Sequence, residues 1–239
     1  MKVFLVHAHP EPRSFCAALR NEAQTLLPAL GHELQVSDLY AMGFDPVASA
    51  ADFGSRSNPD YLVYALEQRH NHKAGTLAPD IRNEIGKLQW CDLLVLNFPI
   101  FWFSTPAMLK GWIDRVLVSG LCYGGLRFYD KGGLKGKRAM ISITIGGQPH
   151  MFGPDAVHGP LEDMLRHLLR GTLYYVGMDV LPPFVAWHVP YISHEARVEI
   201  LERYRDRLRT LEQLAPLAFP SLDAFDDKLL PKARLADGS

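Results

Sequence analysis

Three segments of the chain carry residue types that can do chemistry. The first is Phe101-Trp102-Phe103, set within Phe98-Pro99-Ile100-Phe101-Trp102-Phe103-Ser104-Thr105-Pro106-Ala107-Met108-Leu109-Lys110-Gly111-Trp112. Consecutive aromatics in a loop suit a flat ligand, and the competing reading is a hydrophobic plug beneath that loop. The second is His9-Pro10-Glu11-Pro12-Arg13-Ser14-Phe15, which puts a hydroxyl where a helix begins and where free backbone N–H groups and the helix dipole favour an anion. Ser14 reads equally well as a simple N-cap, and His9 as a hydrogen-bonded structural histidine. The third, Ser142-Ile143-Thr144-Ile145-Gly146-Gly147, ends in paired glycines, which either form a tight turn or let backbone N–H groups approach a ligand closely.

Each of these segments follows or completes an apolar run. Residues 2–7, 93–98 and 138–144 read as strands, the second apolar enough to be buried on both faces. Further strands are expected at 32–37 and 178–187, and helices at 14–27, 79–88, 106–117, 161–175 and from the Ser193 cap to about 214. The alternation predicts an α/β fold, a doubly wound five-stranded parallel sheet of order 2-1-3-4-5 with right-handed crossovers. The three chemical segments then share the carboxyl edge of the sheet, where such folds bind ligands. Residues 38–78 read as an irregular insertion with a weak helical pattern around 61–69. One domain is expected over 1–214, followed by a tail, 215–239, with Pro216, Pro220 and Pro231, that wraps over the surface or a partner subunit.

Composition narrows the function. The chain has 239 residues, 48% hydrophobic, with a net charge of -1; that balance gives no electrostatic footprint for nucleic acid or an anionic membrane. No apolar run reaches the roughly 20 residues needed to cross a bilayer, and the N-terminus lacks a basic leader, so a cytoplasmic protein is expected. Cys16, Cys91 and Cys122 form no CxxC pair, and His70-Asn71-His72 lacks a third nearby ligand, so neither a disulfide framework nor a metal site is expected. Neither GxGxxG nor GxxxxGK[ST] is present, so any phosphate grip must be of another kind.

The aromatic segment 98–116, together with Asp38-Leu39-Tyr40-Ala41-Met42, Tyr129-Asp130-Lys131-Gly132 and 142–147, resembles the NAD(P)H:quinone oxidoreductase family of flavodoxin-like enzymes. The resemblance runs from residue 2 to about 214. It implies a bound FAD, with FMN as the alternative because one phosphate grip serves both, and NAD(P)H as electron donor. His9, Ser14 and Phe15 would meet the phosphates and adenosine side. Cys16 stands where the family often has asparagine, leaving its backbone to make the contact. Ile100, Phe101, Trp102 and Phe103 would pack beside the flavin ring, with Thr144, Ile145, Gly146 and Gly147 at its pyrimidine edge. Phe152 replaces a family tyrosine near the flavin carbonyl, which leaves His158 and the glycine N–H groups to stabilise negative charge there.

The resemblance also assigns Tyr123 and Tyr175, with Trp102 and His158, to the substrate cavity, the tyrosines reaching it from a partner subunit; each reads alternatively as a half-buried tyrosine. Gly125 replaces a second tyrosine. Arg197 aligns with an arginine near the adenosine end, against a rival reading as a surface-helix residue. The expected assembly is a homodimer with the active site at the subunit interface. The expected activity is a two-electron, ping-pong reduction of quinones. A different class, an ancillary regulatory subunit of a glutathione-gated potassium efflux system, shares part of the pattern. A one-electron flavodoxin-type carrier would need an acidic docking face, which the near-neutral charge disfavours.

Overall fold

The computed structural model describes residues 1–232. Strands β1 (Lys2–His7), β2 (Glu33–Asp38), β3 (Leu93–Pro99), β4 (Arg138–Thr144), β5 (Asp179–Val180) and β6 (Phe184–Ala186) form one sheet. Its order is β2-β1-β3-β4-β5, with β6 also on β4, and every pairing is parallel. The expected strand order holds. The expected fifth strand is instead two short pieces, because Pro182-Pro183 carries no N–H to continue the ladder between them.

Side chains along β1 alternate between two cores. Phe4 and Val6 join a cluster with Ile81, Leu88, Trp112 and Leu165, from α3 (Pro79–Trp90), α4 (Ala107–Val116) and α5 (Leu161–Leu168). Val3 and Leu5 join Leu19, Ala23, Tyr204 and Leu208, from α1 (Phe15–Ala29) and α6 (His194–Arg209). Helices thus cover both faces, which is why the central strands read as unbroken apolar runs. The expected helix over 161–175 changes character: beyond Leu168 it continues as a π-helix, Leu169–Tyr174.

The insertion contains an ordered helix, α2 (Tyr64–Ala74), longer than the weak pattern at 61–69 suggests. It is bound to the body by a buried ion-pair network. Arg115 donates to Asp52 at 2.7 and 3.1 Å and to Asp80 at 2.6 Å, and Tyr64 donates its hydroxyl to Asp52 at 2.5 Å. Burial alone would raise the Asp52 carboxyl; the Arg115 and Tyr64 hydrogen bonds overcome it and hold the group below the ordinary carboxylate value.

Past α6 the chain returns over its own sheet. The Leu217 N–H donates to the Val180 carbonyl at 2.7 Å, Phe219 stacks on Tyr174 at 4.8 Å, and Ser221 donates to Asp130 at 2.6 Å. No helix among the described residues is long and apolar enough to cross a membrane.

Candidate active site

The loops leaving β1, β3 and β4 enclose two adjoining hollows. The first, about 390 Å³, is lined by His9, Ser14, Phe15 and Cys16, by Ile100 and Phe101, and by Thr144, Ile145 and Gly146. The second, about 230 Å³, is lined by Trp102 and Phe103, by Gly147, and by Phe152 and His158. Ile100 and Ile145 border both. Twelve of the residues singled out from sequence as flavin contacts, together with Phe152 and His158, therefore converge on one continuous depression.

At the first end, Ser14 caps α1, its Oγ accepting the Ala17 N–H at 3.1 Å. The hydroxyl hydrogen remains to be donated, so capping and anion contact are compatible roles. The Phe15 and Cys16 N–H groups precede the first intrahelical bonds, and no acid occupies the first turn. His9 accepts the Glu11 N–H on Nδ1 at 3.0 Å, which puts the hydrogen of the neutral ring on Nε2, as a donor. Burial keeps its pKa below the ordinary value, so the ring is neutral at pH 7.

Beneath this end lies a buried polar tie. Asn97 donates its side-chain amide to the Cys16 carbonyl at 2.8 Å and to His7 Nδ1 at 3.0 Å, linking the sheet to the first turn of α1. His7 is fully buried, and desolvation lowers its pKa to about 4. Cys16 Sγ lies 3.1 Å from Thr144 Oγ1, and burial pushes its thiol up to about 12, so it packs rather than reacts.

The other end is built differently. Phe101 and Ser104 exchange backbone hydrogen bonds of 3.0 and 2.9 Å, closing a hairpin whose two central residues are Trp102 (φ 50°) and Phe103 (φ 60°). Two positive φ angles mark the turn type that Asn-Gly ordinarily fills. A bulky residue held there costs on the order of 1–2 kcal/mol. The turn is retained by Ser104 Oγ, 3.1 Å from His167 Nε2, and by Phe103, which packs edge-on to His158 at 5.2 Å. Trp102 is left 96% exposed.

His158 sits between Phe103 and Phe152, the latter ring 5.0 Å away, and it is the one titratable side chain lining the second hollow. Phe152 lies so close to Gly147 that a Cβ there would stand 2.9 Å from the ring. No hydroxyl accompanies His158, as the replacement of tyrosine by phenylalanine implies.

One organising residue was not evident in the sequence. His188 donates Nδ1–H to the Gly146 carbonyl at 2.8 Å and its backbone N–H to the Gly147 carbonyl at 3.0 Å. With both carbonyls engaged, the glycine N–H groups are what the loop offers a ligand. Val189, Pro190 and Tyr191, next in the chain, line the first hollow. The rule that ligands sit at the carboxyl ends of strands, applied also to the loop after β6, points to them.

Three expected residues stand elsewhere. Arg197 does not line the hollows; it donates to the Pro190 carbonyl at 2.9 Å and so supports the wall from behind. Tyr123 and Tyr175 pair at 5.7 Å, with Tyr175 stacked on Phe128 at 5.8 Å and 12°, and neither borders the depression of its own chain. Among the described residues, no three His, Cys, Asp or Glu side chains gather as a metal-binding group.

The depression fits a flavin. It has flat apolar walls, N–H and O–H donors suited to phosphate at one end, and backbone N–H donors with an imidazole at the other.

Comparison with known proteins agrees with this geometry. Residues 1–210 match the family model described as a flavodoxin-like fold. The chain is 41% identical over 217 residues to ribosyldihydronicotinamide dehydrogenase [quinone] of Pongo abelii, covering 90% of this chain and 94% of that one. It is 38% identical over 226 residues to NAD(P)H dehydrogenase [quinone] 1 of Rattus norvegicus, covering 94% and 82%. A Klebsiella pneumoniae structure described as a quinone reductase superposes with a TM-score of 0.94 at 37% identity, covering 100% and 96%.

Proposed function

The chain belongs to the flavodoxin-like NAD(P)H:quinone oxidoreductase family, an oxidoreductase family, and from that membership we propose that it reduces quinones by two electrons with FAD as its resident cofactor. The observation that carries this reading is the continuous depression from Ser14 to His158, with phosphate donors at one end and an aromatic turn at the other. FAD is preferred to FMN because the lining continues past Ser14 to Pro190 and Tyr191, leaving room for more than one phosphate. When bound, the flavin supplies hydride acceptance from a dihydronicotinamide and hydride donation to a quinone.

The chain's own residues bind, orient and balance charge. His9 Nε2–H, the Ser14 hydroxyl and the first N–H groups of α1 would hold the phosphates. The N–H groups of Gly146 and Gly147, whose carbonyls are engaged by His188, would hold the polar edge of the ring. His158, packed between Phe103 and Phe152, would donate toward the ring carbonyl and so stabilise negative charge at that edge. Trp102 and Phe103, which line the second hollow, would give donor and acceptor one aromatic wall to occupy in turn, which makes the cycle ping-pong. That wall is largely open in one chain, and Leu126 and Val157, both exposed, add apolar surface for a second copy. A homodimer bringing Tyr123 and Tyr175 across to the partner's aromatic wall is the assembly we infer.

The test is steady-state kinetics of the flavin-loaded protein with a dihydronicotinamide and a simple naphthoquinone, each varied at several fixed levels of the other. Parallel double-reciprocal lines are expected; intersecting lines would mean that both substrates bind at once and would overturn the shared wall.

A further inference from the structure

The loop after α4 folds against α2 into a second cleft, about 550 Å³, away from the flavin-sized depression. Arg69, His72 and Lys73 line it from α2, and Tyr123 and Arg127 from the loop. The first three are spaced i, i+3 and i+4 and so share a helix face. Among the described residues none of the four basic side chains forms an ion pair, and two nearby acids, Glu67 on α2 and Asp114 on α4, are paired with Arg56 and Lys110. The cleft therefore concentrates three full positive charges and an imidazole in a concave wall with no acid among its lining residues.

The loop is shaped around these cations. A Cβ on Gly120 would stand 3.0 Å from Arg69 Cγ, and one on Gly124 2.8 Å from Arg69 Nη2; both glycines have positive φ, +93° and +142°. Arg69 donates to Ser119 Oγ at 3.2 Å, and Arg127 donates to the Gly120 and Leu121 carbonyls at 3.3 and 3.0 Å. These contacts fix the two guanidinium groups and use only some of their five donors each. Complementing the dipole at the C-terminus of α2 accounts for His72 and Lys73, but not for an arginine brought in from another element.

We propose that this cleft binds a phosphate-bearing anion of diphosphate or phosphomonoester size through Arg69, His72, Lys73 and Arg127. Two sources share that chemistry: the phosphates of the dinucleotide donor, or a free phosphate compound acting as effector. The inference rests on the reductase reading only where the donor is the source.

Lys73→Glu is the discriminating variant, because Lys73 is exposed and its ammonium makes no hydrogen bond among the described residues that holds the loop. Pyrophosphate is titrated calorimetrically into flavin-loaded wild type, Lys73→Glu and Lys73→Arg. Saturable binding to wild type, weakened roughly five-fold or more by Lys73→Glu and restored by Lys73→Arg, is the expected result. In parallel, flavin reduction is followed with NADPH, NADH and dihydronicotinamide riboside, which carries no phosphate. A similar rise in the half-saturating NADPH and NADH concentrations, with the riboside unchanged, identifies the donor as the source. Unchanged values for all three, with pyrophosphate binding still weakened, identify a free effector. No binding of pyrophosphate to wild type, or equal binding to wild type and Lys73→Glu, overturns the proposal. A wild type that binds pyrophosphate but is reduced by no dihydronicotinamide overturns the reductase reading and leaves the cleft standing.

Discussion

The two ends of the depression are held in opposite ways. At the phosphate end the side chains are tied into the chain while their remaining donors stay free: Ser14 Oγ accepts from the Ala17 N–H, His9 Nδ1 accepts from the Glu11 N–H, and Asn97 ties Cys16 to His7. At the ring end Trp102 and Phe103 occupy left-handed backbone conformations and Trp102 faces solvent. The first end is stable without a ligand, whereas the second holds a strained aromatic turn whose exposed face gains packing only when something flat covers it. Stability and chemistry are thereby separated along one cavity.

The largest effect that sharpens this contrast is a pH dependence of the phosphate end. Desolvation, opposed by Asp38 and aided by Arg20 and His9, depresses the His7 pKa to about 4 in the folded chain, against about 6.5 unfolded. Protons therefore favour the unfolded chain: the contribution is fully present above pH 6.5 and is lost as pH falls through 4, a swing of roughly 3 kcal/mol. Urea midpoints measured from pH 7 to pH 4.5 should fall more steeply for wild type than for His7→Gln. Parallel curves would remove His7 from the account.

Next in size is the chemistry of the ring end. His158→Ala should slow reduction of the bound flavin roughly 100-fold, the scale of a positioned donor, while the thermal midpoint stays within a degree or two. Rapid-mixing absorbance with NADH and NADPH reads the first quantity, and parent rates in the variant would exclude His158 from charge stabilisation.

Trp102→Gly should do what few active-site changes do and stabilise the flavin-free protein, by about 1 kcal/mol, because glycine accepts φ near +50° without strain. The same variant should bind the ring less tightly. A loss of apoprotein stability would show that the turn stores no strain.

The smallest expected effect is at Ser14. Replacement by alanine removes a cap worth about 1 kcal/mol and should lower both apoprotein stability and flavin affinity together, since one hydroxyl serves both. Lower stability with unchanged flavin affinity would reduce Ser14 to a helix cap.

The fold was legible where burial imposes a simple pattern. The ranges of β1 and β4 are recovered to the residue, and that of β3 within one, because strands covered on both faces are continuous apolar runs. Helix α2 was only hinted at because the side chains it buries are polar: Glu67 accepts from Ser57 and Asn58, Gln68 donates to the Asp114 carbonyl, and Asn71 to the Ser55 carbonyl. Such a helix has no apolar stripe to read. The break in the fifth strand was signalled by Pro182-Pro183 and overridden by its apolar flanks.

The site was legible at the level of loops, since topology alone sends the segments after β1, β3 and β4 to one edge. His188 was not, because its role depends on a positive φ of 57° and on two carbonyls some forty residues earlier in the chain. Neither leaves a mark in local sequence. The contact of Arg197 was not legible for a similar reason: alignment locates a residue on a helix but not the Pro190 carbonyl to which it donates.

The most direct test of the central claim, that one depression grips a flavin by phosphate at Ser14 and by ring at Trp102, is to release and identify the cofactor of the purified protein by chromatography and titrate it back onto the apoprotein. The account predicts FAD, one per chain, with binding weakened separately by Ser14→Ala and by Trp102→Gly. A protein that carries no flavin and takes up neither FAD nor FMN on reconstitution would contradict it.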